Sequence, residues 1–149
     1  MTAAFELHPQ LAKDGLPIRD LPLCRWLLMN DANYPWTILV PRRRCIREIY
    51  ELNPSDRAQL ALESAAVGRL MMRLYRGDKL NVAALGNVVA QLHLHHIVRF
   101  ESDPAWPSPV WGRLPPKPYA PAAIQAMAAR MRKFSGRVFA RPVSPARAV

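Results

Sequence analysis

The sequence has no long hydrophobic run: no window of its 149 residues approaches the roughly 18 consecutive apolar residues of a membrane span. Its start, from Met1 to Leu7, also lacks the basic stretch followed by an apolar stretch that is typical of an export signal. We therefore expect a cytoplasmic protein without a membrane anchor. A hydrophobic fraction of 50% is enough for one buried core in a chain of this length.

Cysteine is scarce. The chain has two cysteines, Cys24 and Cys45, and each lies in an apolar stretch. They could form one disulfide at most, and nothing in the sequence marks an exported chain in which disulfides are common. The sequence therefore predicts two buried free thiols.

Acidic residues are few, with 11 Asp and Glu against 21 Lys and Arg and a formal net charge of +10. Residues 1–100 carry 13 basic against 9 acidic residues, whereas residues 101–149 carry 8 against 2. A basic surface favours anionic partners such as phosphates and nucleic acid, without specifying which. No finger, RNA-recognition signature or basic and aromatic repeat is present, so a nucleic-acid end-processing function would depend on the basic tail alone.

The pattern of apolar and turn-forming residues predicts an α+β domain. Leu21 to Met29 and Trp36 to Val40 are predicted to form an antiparallel hairpin, separated by a turn rich in Asn, Asp and Pro. A long helix is predicted from Asn53, a capping residue, to Gly77, with an apolar stripe against a sheet. The other expected elements are a turn at Asp14 to Pro17 in an irregular or short-stranded lead-in, a short helix over Ile46 to Leu52, strands over Leu80 to Leu85 and Val88 to Phe100 joined tightly at Gly86-Asn87, and a last helix from Pro121.

These elements indicate about five mainly antiparallel strands with one long helix, a short helix and a C-terminal helical extension. We assign the main domain to residues 1–112. Residues 113–149, which comprise a proline-rich loop, a helix and a loose basic tail after Gly136, are expected to pack on this domain or to trail from it.

The most informative segment runs from Gln91 to Phe100 and holds three of the four histidines of the chain. On a strand, Gln91, His93 and His95 project to one face and His96 to the other. A polar face on an apolar strand is costly unless its groups are paired or used. The segment therefore predicts a functional site at His93 and His95, and a packing role for His96 on the far face.

A zinc site is the main alternative chemistry for these histidines. Adjacent His95 and His96 point apart on a strand, and no cysteine or carboxylate lies at a ligand spacing. We therefore predict no metal ligand, and keep zinc-dependent chemistry as a less favoured alternative.

The segment Gly86-Asn87-Val88-Val89-Ala90-Gln91-Leu92-His93-Leu94-His95 resembles the signature of the histidine triad (HIT) family, in which histidines alternate with apolar residues after a glycine turn. The order of elements is similar as well: a hairpin entering Val-Pro and basic residues, a long helix, then two strands ending in the histidines. The resemblance covers roughly residues 21–112. Gln91 occupies the position of the first histidine, and Val88 stands where many members carry Ser or Thr.

The resemblance implies nucleotidyl transfer or hydrolysis, in which the middle histidine attacks the α-phosphate of a purine nucleotide. His93 is then the nucleophile, and a neutral imidazole suits that role near pH 7. His95 would contact a phosphate oxygen or help to protonate the leaving group. Gln91 can hydrogen-bond but cannot carry charge or relay a proton.

The resemblance also implies substrate-binding residues, a homodimer and no cofactor. Asn81 approximates a family position whose amide faces the phosphate or the scissile oxygen. The backbone amides around Asn87 and Val88 are candidate phosphate donors. Asn30 or Asp31 resembles the ribose-binding residue of the family, and the sequence leaves open which of the two faces the ligand.

A nucleotide-binding module that has lost turnover is the second reading. It arises because Gln91 and Val88 both depart from the family pattern.

Overall fold

The computed structural model of the chain describes residues 5–139. It has a five-stranded sheet in the order β1-β2-β3-β5-β4, in which every neighbouring pair is antiparallel. The strands are β1 (Gly15–Asp20), β2 (Cys24–Met29), β3 (Trp36–Pro41), β4 (Lys79–Ala83) and β5 (Leu94–Arg99), and the helices are α1 (Pro9–Asp14), α2 (Pro54–Tyr75) and α3 (Pro121–Phe139). The α+β architecture predicted from the sequence is confirmed.

Helix α2 begins where its capping residues predict. The side-chain oxygen of Asn53 accepts a hydrogen bond from the backbone N–H of Asp56, and Pro54 occupies the first helical position. The helix ends at Tyr75 and is followed by the capping residue Arg76, whose φ of 55° lies in the left-handed region. Its apolar stripe, which includes Val67 and Met71, belongs to the main core.

The two faces of the sheet are covered differently. Helices α2 and α3 cover one face, and their buried side chains join those of Trp26, Leu39 and Val98 in the main core. The opposite face carries His95. Two smaller apolar clusters cover parts of this face, one with the N-terminal segment and one with the loop after β5: Phe5, Leu7, Leu11, Leu27, Ile38, Val40 and Val89 in the first, and Tyr34, Ile97, Ala105 and Val110 in the second.

Strand β5 is shorter than predicted, because it begins at Leu94 rather than at Val88. The last residue of β4, Ala83, already pairs with His95, so residues 84–93 form a longer connection between the two strands. Within this connection the backbone N–H of Leu92 donates to the carbonyl of Ile46, 2.9 Å away, instead of to a neighbouring strand. His93 therefore lies immediately before β5.

Other local predictions are wrong. The expected turn at Asp14 to Pro17 is the junction between α1 and β1. The expected short helix over Ile46 to Leu52 is only a 3-10 turn at Ile49–Glu51. Cys24 is a buried free thiol as predicted, but Cys45 is exposed, because the chain turns at that residue with a φ of 57°.

The C-terminal helix starts at Pro121 as predicted, and it continues past Gly136 to Phe139. Its residues Ala128 and Met131 are part of the main core. The remainder of the predicted basic tail, residues 140–149, lies outside the described residues. No helix within residues 5–139 is long and apolar enough to cross a bilayer. The cytoplasmic location and the boundary at residue 112 stay predictions.

Candidate active site

His93 and His95 lie side by side on the sheet face opposite α2. Their ring centroids are 4.8 Å apart and the ring planes are inclined by 70°. His95 is held within β5, where it pairs with Ile38 of β3 and Ala83 of β4. Both histidines are more than nine-tenths buried. The structure thus brings together the two imidazoles that the alternating pattern singles out.

The orientation of His93 is fixed by its own chain. Its Nδ1 lies 2.7 Å from the backbone carbonyl oxygen of Gln91. A carbonyl oxygen only accepts hydrogen bonds, so Nδ1 carries the proton and donates it to that oxygen. The lone pair of the neutral ring is then on Nε2, which is the form that a nucleophilic imidazole requires.

His95 is a neutral group at pH 7. Burial, reinforced by the nearby His93 and His96, lowers the pKa of His95 to about 3. Its Nδ1 accepts a hydrogen bond of 3.0 Å from the indole N–H of Trp36. His95 therefore adds no positive charge beside His93 at pH 7.

Two tryptophans pack around His95. The ring of Trp36 lies 5.5 Å from the His95 ring, and the ring of Trp111 meets it edge-on at 5.2 Å. Trp111 belongs to the loop between β5 and α3. Trp36 and Trp111 also contact each other, with centroids 5.8 Å apart. Nothing in the sequence indicates these contacts, because they depend on strand register and on the path of the loop.

The side chain of Gln91 points away from the histidines. Its Oε1 accepts a hydrogen bond from the backbone N–H of His8, and its Nε2 donates to the carbonyl of Glu6, both at 2.9 Å. Gln91 thus ties down the N-terminal segment with its amide, and reaches His93 through its backbone carbonyl alone. Sequence reasoning missed this tether, since its partners are more than 80 residues apart in the chain.

His96 faces α2, in agreement with its predicted packing role. Its Nε2 lies 2.8 Å from the Ser64 hydroxyl, and its Nδ1 lies 3.3 Å from the carbonyl of Leu94. Burial lowers the pKa of His96 to about 4, against the opposing effect of these hydrogen bonds. Within residues 5–139, no three histidine, cysteine or acidic side chains are grouped closely enough to hold a metal ion.

Asn81 lies on the same face as His95, because it pairs with Ile97 of β5. Its side-chain oxygen accepts a hydrogen bond of 2.8 Å from Arg99, which is itself buried and paired with both carboxylate oxygens of Asp103 at 2.7 and 2.9 Å. A guanidinium only donates, so the Asn81 oxygen is turned towards Arg99 and its NH₂ group is turned away. Arg99 is a residue of this network that sequence reasoning did not select.

The glycine turn before the histidines is present. Gly86 has a φ of 73°, in the left-handed region that favours glycine, and Val88 is 94% exposed. No described residue accepts a hydrogen bond from the backbone N–H of Asn87, Val88 or Val89. Asn87 and Val88 are exposed whereas Val89 is buried, so the amides of Asn87 and Val88 are the candidates for an external acceptor.

Asn30 and Asp31 contact the segment that precedes α3. The Asn30 side-chain oxygen accepts from the backbone N–H of Tyr119 at 2.9 Å, and Asp31 accepts from the backbone N–H groups of Asn33 at 3.0 Å and Lys117 at 3.2 Å. Both residues lie in the loop that leads into Trp36. Since Trp36 pairs with Ile97, this loop is near the Arg99 end of β5, away from His93. Their sugar-binding role stays a prediction.

The arginines that follow β3 lie near the histidine segment. The carbonyl of Ile46, just beyond them, accepts the hydrogen bond from Leu92. Arg42 donates to the carbonyl of Leu21, and Arg43 forms a forked ion pair of 2.7 Å bonds with Asp56. Two of the three arginines therefore have structural partners.

The open five-stranded antiparallel sheet, with His93 just before β5 and His95 within it, has the fold of the histidine triad class of proteins. The chain matches the HIT domain family over residues 12–102 and belongs to that family. Its structure is similar to those of a histidine triad protein from Marinobacter aquaeolei (50% identity, 91% of this chain and 99% of that chain, TM-score 0.87) and a histidine triad protein from Bradyrhizobium japonicum (44% identity, 88% and 98%, TM-score 0.85). Plasmodium falciparum diadenosine triphosphate hydrolase shares the fold at 12% identity, over 93% of this chain and 88% of that chain, with a TM-score of 0.66. No curated protein matches the chain.

Proposed function

We propose that the protein is a nucleotidyl hydrolase or transferase that acts on the α-phosphate of a purine nucleoside phosphoramidate, phosphate ester or dinucleoside polyphosphate. Membership of the HIT family and the fold shared with a diadenosine triphosphate hydrolase support this class of substrate. The observation that carries the proposal is the hydrogen bond from His93 Nδ1 to the Gln91 carbonyl, which leaves a lone pair on His93 Nε2.

In the proposed reaction, His93 Nε2 attacks the α-phosphorus and forms a P–N bond. The bond from phosphorus to the leaving group breaks, and the leaving group departs with the electron pair and takes up a proton from solvent. Water then attacks the phosphorus, the P–N bond breaks, and the nucleoside monophosphate is released while the water proton passes to solvent. The proton of His93 stays on Nδ1 and remains hydrogen-bonded to the Gln91 carbonyl throughout, so the cationic adduct retains its partner.

The neighbouring groups have separate proposed roles. His95, neutral at pH 7, contacts a phosphate oxygen through hydrogen bonding and is not the proton source for the leaving group. The NH₂ group of Asn81 and the unpaired amides of Asn87 and Val88 donate to the phosphate. The proposed sugar contact is to Asn30 or Asp31.

A nucleotide-binding module without turnover is the second candidate. It is favoured by one observation: the Gln91 side chain is engaged with Glu6 and His8, so no third imidazole or other acid reaches the pair from that position. The net positive charge of the chain favours an anionic ligand equally well in both cases. The proposed assembly is a homodimer, which sedimentation at micromolar concentration tests; a monomer throughout would remove it.

A substrate panel separates these functions. Adenosine and guanosine phosphoramidates and dinucleoside polyphosphates are incubated with the protein, with and without EDTA, and release of the nucleoside monophosphate is measured. We expect turnover that EDTA does not affect. Turnover that disappears with EDTA and returns only with zinc would instead support zinc-dependent chemistry. Tight binding of nucleotide without turnover of any substrate would support the binding module.

A further inference from the structure

Trp36 forms the only described hydrogen bond to the ring of His95. The indole Nε1 of Trp36 lies 3.0 Å from His95 Nδ1. The two residues come from neighbouring strands: Trp36 begins β3 and pairs with Ile97, two residues beyond His95 on the same face. The contact therefore rests on two regular elements, and not on a loop.

In this hydrogen bond, the donor can only be Trp36 and the acceptor can only be His95. An indole N–H is only a donor, so His95 Nδ1 is the acceptor and carries no proton. A neutral imidazole has one proton, which must then be on Nε2. Without the indole, a neutral imidazole is free to exchange between its two tautomers.

We propose that Trp36 is a positioning residue that fixes His95 in the Nε2–H form, so that His95 presents a hydrogen-bond donor to the phosphate while His93 presents a lone pair. The catalytic part of this inference rests on the proposed function. The assignment of the tautomer does not, since it follows from the contact between Trp36 and His95 alone.

The two histidines are thereby set in opposite forms by different partners. The carbonyl of Gln91 makes Nδ1 of His93 a donor and its Nε2 an acceptor. The indole of Trp36 makes Nδ1 of His95 an acceptor and its Nε2 a donor. A nucleophile and a phosphate-oxygen donor are required together for attack on a phosphorus centre, and two histidines of the same tautomer would supply only one of these.

The packing around His95 keeps its ring in the hydrogen bond with Trp36. His95 is 6% exposed and its ring is enclosed by His93, Trp36 and Trp111. A ring flip by 180° about its last side-chain bond would remove Nδ1 from the indole and leave the indole N–H without an acceptor, which is unfavourable in a buried position.

The tautomer is measured directly by NMR. In the full-length protein labelled with ¹⁵N-histidine at pH 7, the His95 signals are assigned by their absence in His95→Gln, and the two ring nitrogens are classified as protonated or unprotonated. We expect a protonated Nε2 and an unprotonated Nδ1. A His95 whose Nδ1 is protonated in the wild type would overturn the inference, whatever the variants show.

Trp36→Phe keeps an aromatic ring but removes the donor, and Trp111→Phe is the matched control because Trp111 packs on His95 without donating to it. In Trp36→Phe we expect His95 to show both tautomers, and kcat/KM to fall roughly threefold to tenfold, the effect of one neutral hydrogen bond. Trp111→Phe should retain the Nε2–H form. A single Nε2–H tautomer in Trp36→Phe would contradict the inference.

The two proposals fail in different ways. If the wild type hydrolyses no substrate, the proposed function is wrong, and the NMR measurement still decides whether Trp36 sets the tautomer. If the wild type is active and Trp36→Phe has mixed tautomers but unchanged kcat/KM, the catalytic part of the inference is wrong and the proposed function stands.

Discussion

The backbone carbonyl of Gln91 lies 2.7 Å from His93 Nδ1, while the side chain of the same glutamine holds the backbone of the N-terminal segment. Gln91 occupies the position of the first histidine in the family pattern, yet its amide contributes nothing to the polar face of the site. Its side chain supports the backbone that orients His93. The N-terminal segment is therefore part of the structure behind the active site.

Replacement of Gln91 by alanine removes both hydrogen bonds to the N-terminal segment but leaves the carbonyl that orients His93. We expect the free energy of unfolding in urea to fall by about 1–3 kcal/mol, since two hydrogen bonds are lost, and kcat to fall less than tenfold. Gln91→His cannot make both bonds and should resemble alanine. Gln125→Ala, an exposed glutamine on α3, is the control for stability. A loss of activity in Gln91→Ala as complete as in His93→Ala would place the amide itself in the chemistry.

Stability should depend on pH through the two buried histidines. His95 and His96 have pKa values of about 3 and about 4 in the folded protein, below their ordinary value of 6.5. At pH values between about 4 and 6.5, the unfolded chain therefore binds more protons than the folded protein. The free energy of unfolding should fall as pH decreases from 6.5 towards 4. Each histidine contributes up to about 1.4 kcal/mol per pH unit in this range.

Urea denaturation at a series of pH values tests this dependence. His96→Gln and His95→Gln should each lower the slope of the unfolding free energy against pH, relative to the wild type, by the contribution of the one histidine that is removed. A slope that neither substitution changes would show that these two rings are not the groups that titrate on unfolding.

The fully buried ion pair between Arg99 and Asp103 should be worth more than the pair between Arg43 and Asp56, in which the arginine is exposed. Arg99→Met leaves the carboxylate of Asp103 buried without its partner, and we expect a loss of about 3–5 kcal/mol in unfolding free energy. Arg43→Met removes an arginine whose side chain is 45% exposed, and should cost about 0–1 kcal/mol. Equal losses in urea denaturation for the two variants would contradict this account. Arg99→Lys should recover only part of the loss, because an ammonium group cannot form the forked pair.

Local signals in the sequence predict several elements correctly. The cap at Asn53 and the apolar stripe that follows it locate α2, because these features act within a few residues. The Asn, Asp and Pro turn locates the hairpin of β2 and β3. The alternation at His93 and His95 indicates that the two rings share a face, which their centroid separation of 4.8 Å bears out.

Local sequence signals do not predict features that depend on contacts between residues far apart in the chain. The start of β5 at Leu94 is set by the end of β4 at Ala83, and apolar alternation upstream of Leu94 is equally compatible with a longer strand. The hydrogen bond from Trp36 to His95 depends on strand register, and the tether from Gln91 to Glu6 depends on the path of the N-terminal segment. The side chain of Gln91 is hydrogen-bonded to the N-terminal segment, and the role of Gln91 in catalysis stays a prediction.

The three histidines of the segment should differ in their contribution to catalysis. We expect His93→Ala to lower kcat by about a thousandfold or more, because the attacking atom is lost. His95→Ala should slow the reaction less, and His96→Ala should leave the chemistry nearly intact because its ring faces Ser64 on α2. Nucleotide affinity should persist in His93→Ala, since the turn amides and sugar contacts remain. If His96→Ala were inactive and His93→Ala active, the assignment of the site would be wrong.

The covalent intermediate is the central claim, and rapid quenching under alkaline conditions tests it most directly. The protein is mixed with a purine nucleoside phosphoramidate, quenched within one turnover, and examined by mass spectrometry of the intact chain and of the fragment that contains His93. We predict an added mass of one nucleoside monophosphate, located on His93 and absent from His93→Ala, while His96→Ala still forms the adduct. Full turnover by the wild type with no adduct at any quench time, or an adduct that persists in His93→Ala, would contradict the account.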